Sequence, residues 1–124
     1  MVCRGIRGAI TVDSNTAQDI LAAGRELLEE MITANNVRQE DVATVIFTTT
    51  TDLNAEFPAR AARLMGWSDA PLLCSNEIAV PGGLDRCLRI LLLVNTEKRS
   101  TEIVHVYLKG ARVLRPDREY NPQG

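Results

Sequence analysis

Aromatic residues are scarce in this 124-residue chain: one Trp, two Tyr and two Phe make up 4% of it, so a core drawn from its 45% apolar residues has to be largely aliphatic. Lysine is scarcer still, with two residues against twelve arginines. Lysine supplies positive charge equally well, whereas a guanidinium adds a flat fork that holds a carboxylate or phosphate in one orientation. An arginine-leaning genome would give the same count, so position has to decide what the bias means. There is one histidine, and the three cysteines, Cys3, Cys74 and Cys87, show no Cys-x-x-Cys spacing. A zinc site would need ligands the chain hardly has, and no metal is expected. For Cys3 and Cys87 the default is a small buried hydrophobe.

No segment approaches the ~20 apolar residues that span a bilayer, and Arg4 and Arg7 interrupt the apolar N-terminus where a secretory signal would need an unbroken stretch. A cytoplasmic protein without membrane contact is expected. Net charge is −2 with a pI near 5.4, which provides no basic field for nucleic acid but leaves room for a local cluster that binds a small anion. Eight arginines fall into four Arg-x-x-Arg pairs: Arg4/Arg7, Arg60/Arg63, Arg86/Arg89 and Arg112/Arg115.

No repeat, low-complexity tract or linker divides the chain, and a single domain over 1–116 with a loose tail over 117–124 is expected. Val2 to Val12 reads as a strand in which Arg4 and Arg7 point to opposite faces, so at most one of them serves a given site. Residues 13–16 offer helix caps. Ala17, Ile20, Leu21, Gly24, Leu27, Leu28, Met31 and Ile32 then recur at helical steps, predicting an amphipathic helix to about Asn35. After a polar turn, Val42 to Thr51 reads as a strand. Pro58 suits the first turn of a second, shorter helix and Gly66 the left-handed position past its end, with Arg60 and Arg63 sharing a face between them. Pro71 to Ser75 is a short strand, Val80 to Gly83 a turn, Cys87 to Thr96 an apolar strand and Ile103 to Leu108 a last strand, before Gly110 turns the chain. This order predicts an α+β or mixed α/β architecture with two helices packed on one face of a mixed sheet. Two helices cannot cover both faces, so the other face is expected to be buried against further copies of the chain.

Arg89 is the residue with most to explain. It shares a strand face with Cys87, Leu91 and Leu93, where a guanidinium either has a partner or carries a heavy desolvation cost. The partner is either a structural acid or a ligand. Glu77 follows the short strand and precedes an apolar Ile78-Ala79-Val80, as a site carboxylate or as an ordinary loop residue. No Ser/His/Asp set or nucleotide-binding loop appears, because neither Gly5-Ile6-Arg7-Gly8 nor Pro81-Gly82-Gly83 has the glycine spacing required. Arginines, one carboxylate and a tyrosine without a nucleophile suggest positioning and electrostatics more than acid, base or covalent chemistry.

The stretches Arg4-Gly5-Ile6-Arg7-Gly8-Ala9, Phe57-Pro58-Ala59-Arg60-Ala61-Ala62-Arg63, Gly82-Gly83-Leu84 with Cys87 and Arg89, His105-Val106-Tyr107-Leu108 and Val113-Leu114-Arg115-Pro116-Asp117 closely resemble the monofunctional chorismate mutases of the small trimeric α/β class, unrelated to the all-helical ones. The resemblance covers nearly the whole chain. It implies a homotrimer with a pseudo-barrel core, active sites at the subunit interfaces, no cofactor, and conversion of chorismate to prephenate for phenylalanine and tyrosine synthesis.

By the same resemblance, Arg89 contacts the substrate's ether oxygen and a carboxylate, and Arg7 and Tyr107 hold a carboxylate. Glu77 and Cys74 bond the ring hydroxyl. Phe57, Ala59, Leu73 and Leu114 line the pocket, while Arg60, Arg63 and Arg115 stand at its mouth. Arg4, Arg86 and Arg112 are left as solvated or structural charges. Arg60 replaces a residue that tends to be lysine in the family, and Leu72 and Leu73 stand where smaller or more polar residues occur. Two other classes remain open from the residues alone: an imine or enamine deaminase on a similar trimeric scaffold, which would explain Arg89 only, and a non-catalytic module that binds a dicarboxylate.

Overall fold

A computed structural model of the chain describes residues 1–114; Arg115 and the expected tail, 117–124, lie outside the described residues. Five strands form one mixed sheet: β1 (Val2–Thr11), β2 (Val42–Thr49), β3 (Leu72–Asn76), β4 (Cys87–Thr96) and β5 (Val106–Leu108). Their order is β3-β2-β4-β1-β5. The central β4 runs antiparallel to both β1 and β2, while the two edge strands, β3 and β5, run parallel to their neighbours. Two α-helices, α1 (Ala17–Asn35) and α2 (Arg60–Leu64), and short 3₁₀ segments at Gln39–Asp41, Ser100–Glu102 and Lys109–Leu114 complete the chain.

The long helix forms as its spacing predicts. The Thr16 hydroxyl caps it by accepting the Asp19 N–H at 3.1 Å, and Asn36 ends it in the left-handed conformation, φ 53°. Its buried stripe of Ile20, Ala23, Leu27, Leu28 and Met31 packs on the even-numbered face of β1 and β4, against Ile6, Ile10, Leu88, Ile90 and Leu92. Gly8 permits that approach: a Cβ there would meet Met31 Sδ at 2.4 Å and a Leu27 methyl at 3.0 Å. The second helix is one short turn preceded, not opened, by Pro58, and Gly66 closes it at φ 91°.

Four expectations need correction. Strand β2 stops at Thr49, because the Thr50 hydroxyl accepts the Cys87 N–H and donates to Asp52, pulling the chain into a turn. Strand β3 runs one residue later than expected. The last strand is Val106–Leu108 alone, because side chains stand in for strand pairing just before it: Asn35 of α1 takes both the N–H and the carbonyl of Val104, and the Arg7 N–H of β1 donates to the His105 ring at 3.0 Å instead of to a strand carbonyl. Cys87 is buried as expected, but Cys3 is exposed, since it lies on the odd-numbered face of β1 near the strand's open end.

That odd-numbered face positions the functional residues. Near β5 a small second cluster of Ala9, Cys87, Tyr107 and Ala111 covers it, with Leu84 and Leu114 packed alongside. Further along, Leu91 and Leu93 are half-buried and Leu73 is 61% exposed, an apolar area without a layer over it in the single chain.

Candidate active site

Five of the sequence-derived residues, Arg7, Glu77, Arg89, Tyr107 and Leu114, meet at one concavity, three of them through strand alternation. In β1, Arg7 and Ala9 share the odd face, with Arg7 opposite Leu91 and Ala9 opposite Arg89 of β4. Thr48 of β2 lies opposite Arg89 on its other side, and Tyr107 of β5 is paired with Ala9. The resulting hollow, about 360 Å³, is lined by Arg7, Ile46, Thr48, Glu77, Arg89, Tyr107 and Leu114 among others. Its volume suits a small organic ligand.

Arg89 and Glu77 form the charged centre. Nε of Arg89 lies 3.1 Å from Oε1 of Glu77, with side-chain exposures of 43% and 28%. The acid is therefore Glu77 itself, the other candidate site residue. The contact is ionic but not directional: buried Arg89 Nε makes no hydrogen bond among the described residues, leaving a donor to be satisfied. The guanidinium also reaches the Cys87 thiol. Burial pushes that thiol above its ordinary pKa, and the nearby positive charge only partly offsets it, so Cys87 stays a neutral, packed group. The side chain of Arg7 lines the hollow without an ion pair or hydrogen bond among the described residues. Tyr107 is 4% exposed and held by the small second cluster.

The remaining candidates lie elsewhere. Phe57 and Cys74 line a second hollow of similar volume, about 360 Å³, with Thr49, Asn54, Glu56, Pro58, Ser75 and Asn76. Cys74 stands on the helix-facing side of β3, half-buried, with its thiol pushed up by burial and partly restrained by the Ala59 N–H. Phe57 is 73% exposed. Arg60 pairs with Glu56 at 2.6 Å on this rim; that bond and the Phe57 N–H hold the Glu56 carboxyl below its usual range. Leu73 points to the opposite, open side of the sheet from Cys74, as adjacent strand residues must. Arg63 is at neither hollow, because it donates to the Trp67 and Ser68 carbonyls, at 3.0 and 3.2 Å, just past its own helix. Arg115 falls outside the described residues.

Two supporting features escaped the sequence reading. One is the Thr48 hydroxyl, which donates to Glu77 Oε1 at 2.8 Å. The β2 alternation that sets Ile46 and Thr48 on one face was the signal for it. The other is the way Arg86, expected as a solvated or structural charge, is held: its backbone takes φ 45°, its N–H donates to Asp52, and its guanidinium donates to the Asp13 carbonyl, fixing where β4 begins. Arg4 is structural as well, donating to the Lys98 carbonyl at 3.2 Å.

Comparison with known proteins gives the family. The family model for chorismate mutase type I matches residues 3–118. The chain is 45% identical to chorismate mutase AroH of Bacillus subtilis (strain 168) over 118 residues, 94% of this chain and 93% of that one. It is 50% identical to chorismate mutase AroH of Thermus thermophilus over 117 residues, 94% and 96% of the two chains. The solved chorismate mutase from Clostridium thermocellum superposes with a TM-score of 0.88 at 51% identity, covering 89% of this chain and 98% of the other. With both a whole-length family match and relatives this similar, the chain belongs to the type I chorismate mutases, which are isomerases.

Proposed function

We propose that the protein converts chorismate to prephenate by clamping the substrate in its reactive shape and stabilising charge on its ether oxygen. The supporting observation is the unsatisfied, buried Nε of Arg89 in a hollow that also holds Arg7, Glu77 and Tyr107. The rearrangement is pericyclic: one C–O bond breaks as a C–C bond forms, and electron density accumulates on the oxygen. Neither a nucleophile nor a proton transfer is required. Folding the enolpyruvyl arm over the ring and holding it there gives an orientation advantage. A fixed guanidinium beside the ether oxygen acts more strongly on the transition state than on the ground state, and so raises kcat.

In this reading Arg89 serves the ether oxygen and a carboxylate, Arg7 and Tyr107 hold a carboxylate, and Glu77 receives the ring hydroxyl. Glu77 offsets one guanidinium charge, which keeps two arginines from repelling each other in a confined space.

The second wall comes from a neighbouring copy. Phe57 and Cys74 line the hollow on the side of the sheet facing away from Arg89, with Ala59 bonded to Cys74 and Arg60 to Glu56 beside them, so one substrate molecule can touch both sets only where two chains meet. The open apolar area around Leu73, Leu91 and Leu93 is suited to burial in the same contact. By its resemblance to the family the active form is a homotrimer with interfacial sites and a pseudo-barrel core, acting in the cytoplasm in phenylalanine and tyrosine synthesis. Among the described residues no helix is long and apolar enough to cross a membrane.

Purified protein mixed with chorismate should consume the substrate's diene absorbance faster than buffer, with prephenate accumulating in equal amount. Binding of chorismate without turnover would instead favour a dicarboxylate-binding module.

A further inference from the structure

We propose that Thr48 is a positioning residue for this reaction: its hydroxyl fixes Glu77 so that one carboxylate oxygen braces Arg89 while the other is presented to the substrate. The inference rests on the functional reading above, because it assigns Glu77 and Arg89 the roles given there.

Thr48 and Arg89 are direct partners across the β2–β4 pairing and point to the same face. Glu77 arrives from outside the sheet, one residue beyond β3, in a stretch with no regular structure. Its backbone N–H donates to the Thr49 carbonyl at 2.9 Å, and its Oε1 accepts the Thr48 hydroxyl at 2.8 Å. Consecutive residues of β2 thereby hold both ends of Glu77. Without the hydroxyl, a glutamate at a strand exit has three free torsions and loses considerable entropy on being ordered.

Among the described residues both contacts of the carboxylate, Thr48 and Arg89, fall on Oε1. A carboxylate accepts at both oxygens, so Oε2 stays available to a ligand. The Thr48 bond also sets the direction from which Oε1 approaches Arg89. In the present geometry the Arg89 Nε–H is close to that oxygen yet not aligned on it, while the Arg89 side chain as a whole stays 43% exposed. A Glu77 free to rotate could satisfy Arg89 fully and withdraw it from the ether oxygen. Thr48 therefore acts through Glu77 on how Arg89 is spent.

The test compares Thr48→Val, Thr48→Ser and Thr48→Ala with the unaltered trimer, alone and with Glu77→Ala, using chorismate turnover and thermal melting. Valine keeps the β-branched shape and removes only the hydroxyl. Thr48→Val should lower kcat/KM about tenfold to a hundredfold, chiefly in kcat, as expected for losing a hydrogen bond to a charged group. Thr48→Ser should stay within about threefold of the unaltered protein, the hydroxyl being kept. With Glu77→Ala already present, Thr48→Val should add less than about a twofold loss. Thr48→Ala repeats the test should the valine variant fail to fold. Full activity in Thr48→Val or Thr48→Ala, a serine variant as slow as valine, or losses that multiply with Glu77→Ala would overturn the role of Thr48 alone. An unaltered protein that leaves chorismate unchanged would overturn the functional reading, and this inference with it.

Discussion

Asn35, the last residue of α1, brackets Val104 with its side-chain amide: Oδ1 accepts the Val104 N–H at 2.8 Å and Nδ2 donates to the Val104 carbonyl at 2.8 Å. The same Nδ2 donates to the Met31 carbonyl, and Asn35 is 4% exposed. One side chain thus replaces a strand partner just before β5. Asn35→Ala would leave two backbone groups of Val104 without that partner in a poorly solvated place, at a cost of about 1–3 kcal/mol. Denaturant titration should show the loss in the midpoint with an unchanged slope.

Gly8 is the point of closest approach between β1 and α1. An alanine methyl would collide with Met31 and Leu27, both fully buried, and overpacking of this kind costs typically about 1–3 kcal/mol. Because Gly8 follows Arg7 directly, Gly8→Ala should lower chorismate turnover as well as the melting temperature. Activity measured well below the melting transition separates the two effects.

Asp52 gives a signed pH effect. The Thr50 hydroxyl lowers its pKa most, burial opposes, and the Arg86 N–H lowers it further, leaving it below 3.8. A carboxyl with a depressed folded pKa contributes stability that is present above its unfolded pKa and lost as pH falls through the folded value. Asp52→Asn should therefore flatten the acid side of the stability curve below about pH 3.8 relative to the unaltered protein, while near neutral pH it is the less stable of the two. Melting curves over that range check both signs. The effect is small because Asp52 is exposed and water screens its charge.

Sites shared between chains predict complementation. Arg89→Ala removes one wall and Phe57→Asp disrupts the other, so each homotrimer alone should be nearly inactive. Trimers reassembled from an equal mixture should regain about a quarter of the unaltered activity, the fraction of interfaces with two intact walls under random assortment. No recovery on mixing would place both walls in one chain.

The sheet and its long helix were legible because their signals are local and repeated. Ile20, Leu27, Leu28 and Met31 recur at helical steps, and β4 alternates strictly, which was enough to set Arg89 apart from Leu88 and Ile90. Arg4 and Arg7 separated by the same rule. Two strand ends were misread because a side chain took over a backbone role. Asn35 and His105 shorten the last strand, and Thr50 ends β2 early. No periodicity announces such substitutions, since the partners are far apart in sequence. The pairing of Glu77 with Arg89 needed the register of three strands, and its support by Thr48 needed the hydroxyl's position. Arg63 shows the limit of facing arguments: it shares a helix with Arg60, yet it is held by the Trp67 and Ser68 carbonyls.

The most direct measurement is steady-state turnover of chorismate by Arg89→Ala, with substrate affinity determined independently by calorimetry. The expected outcome is a kcat lower by about three orders of magnitude, roughly 4 kcal/mol of lost transition-state stabilisation, with binding weakened far less. An unchanged kcat with only a raised KM would contradict the claim that this guanidinium acts on the breaking C–O bond.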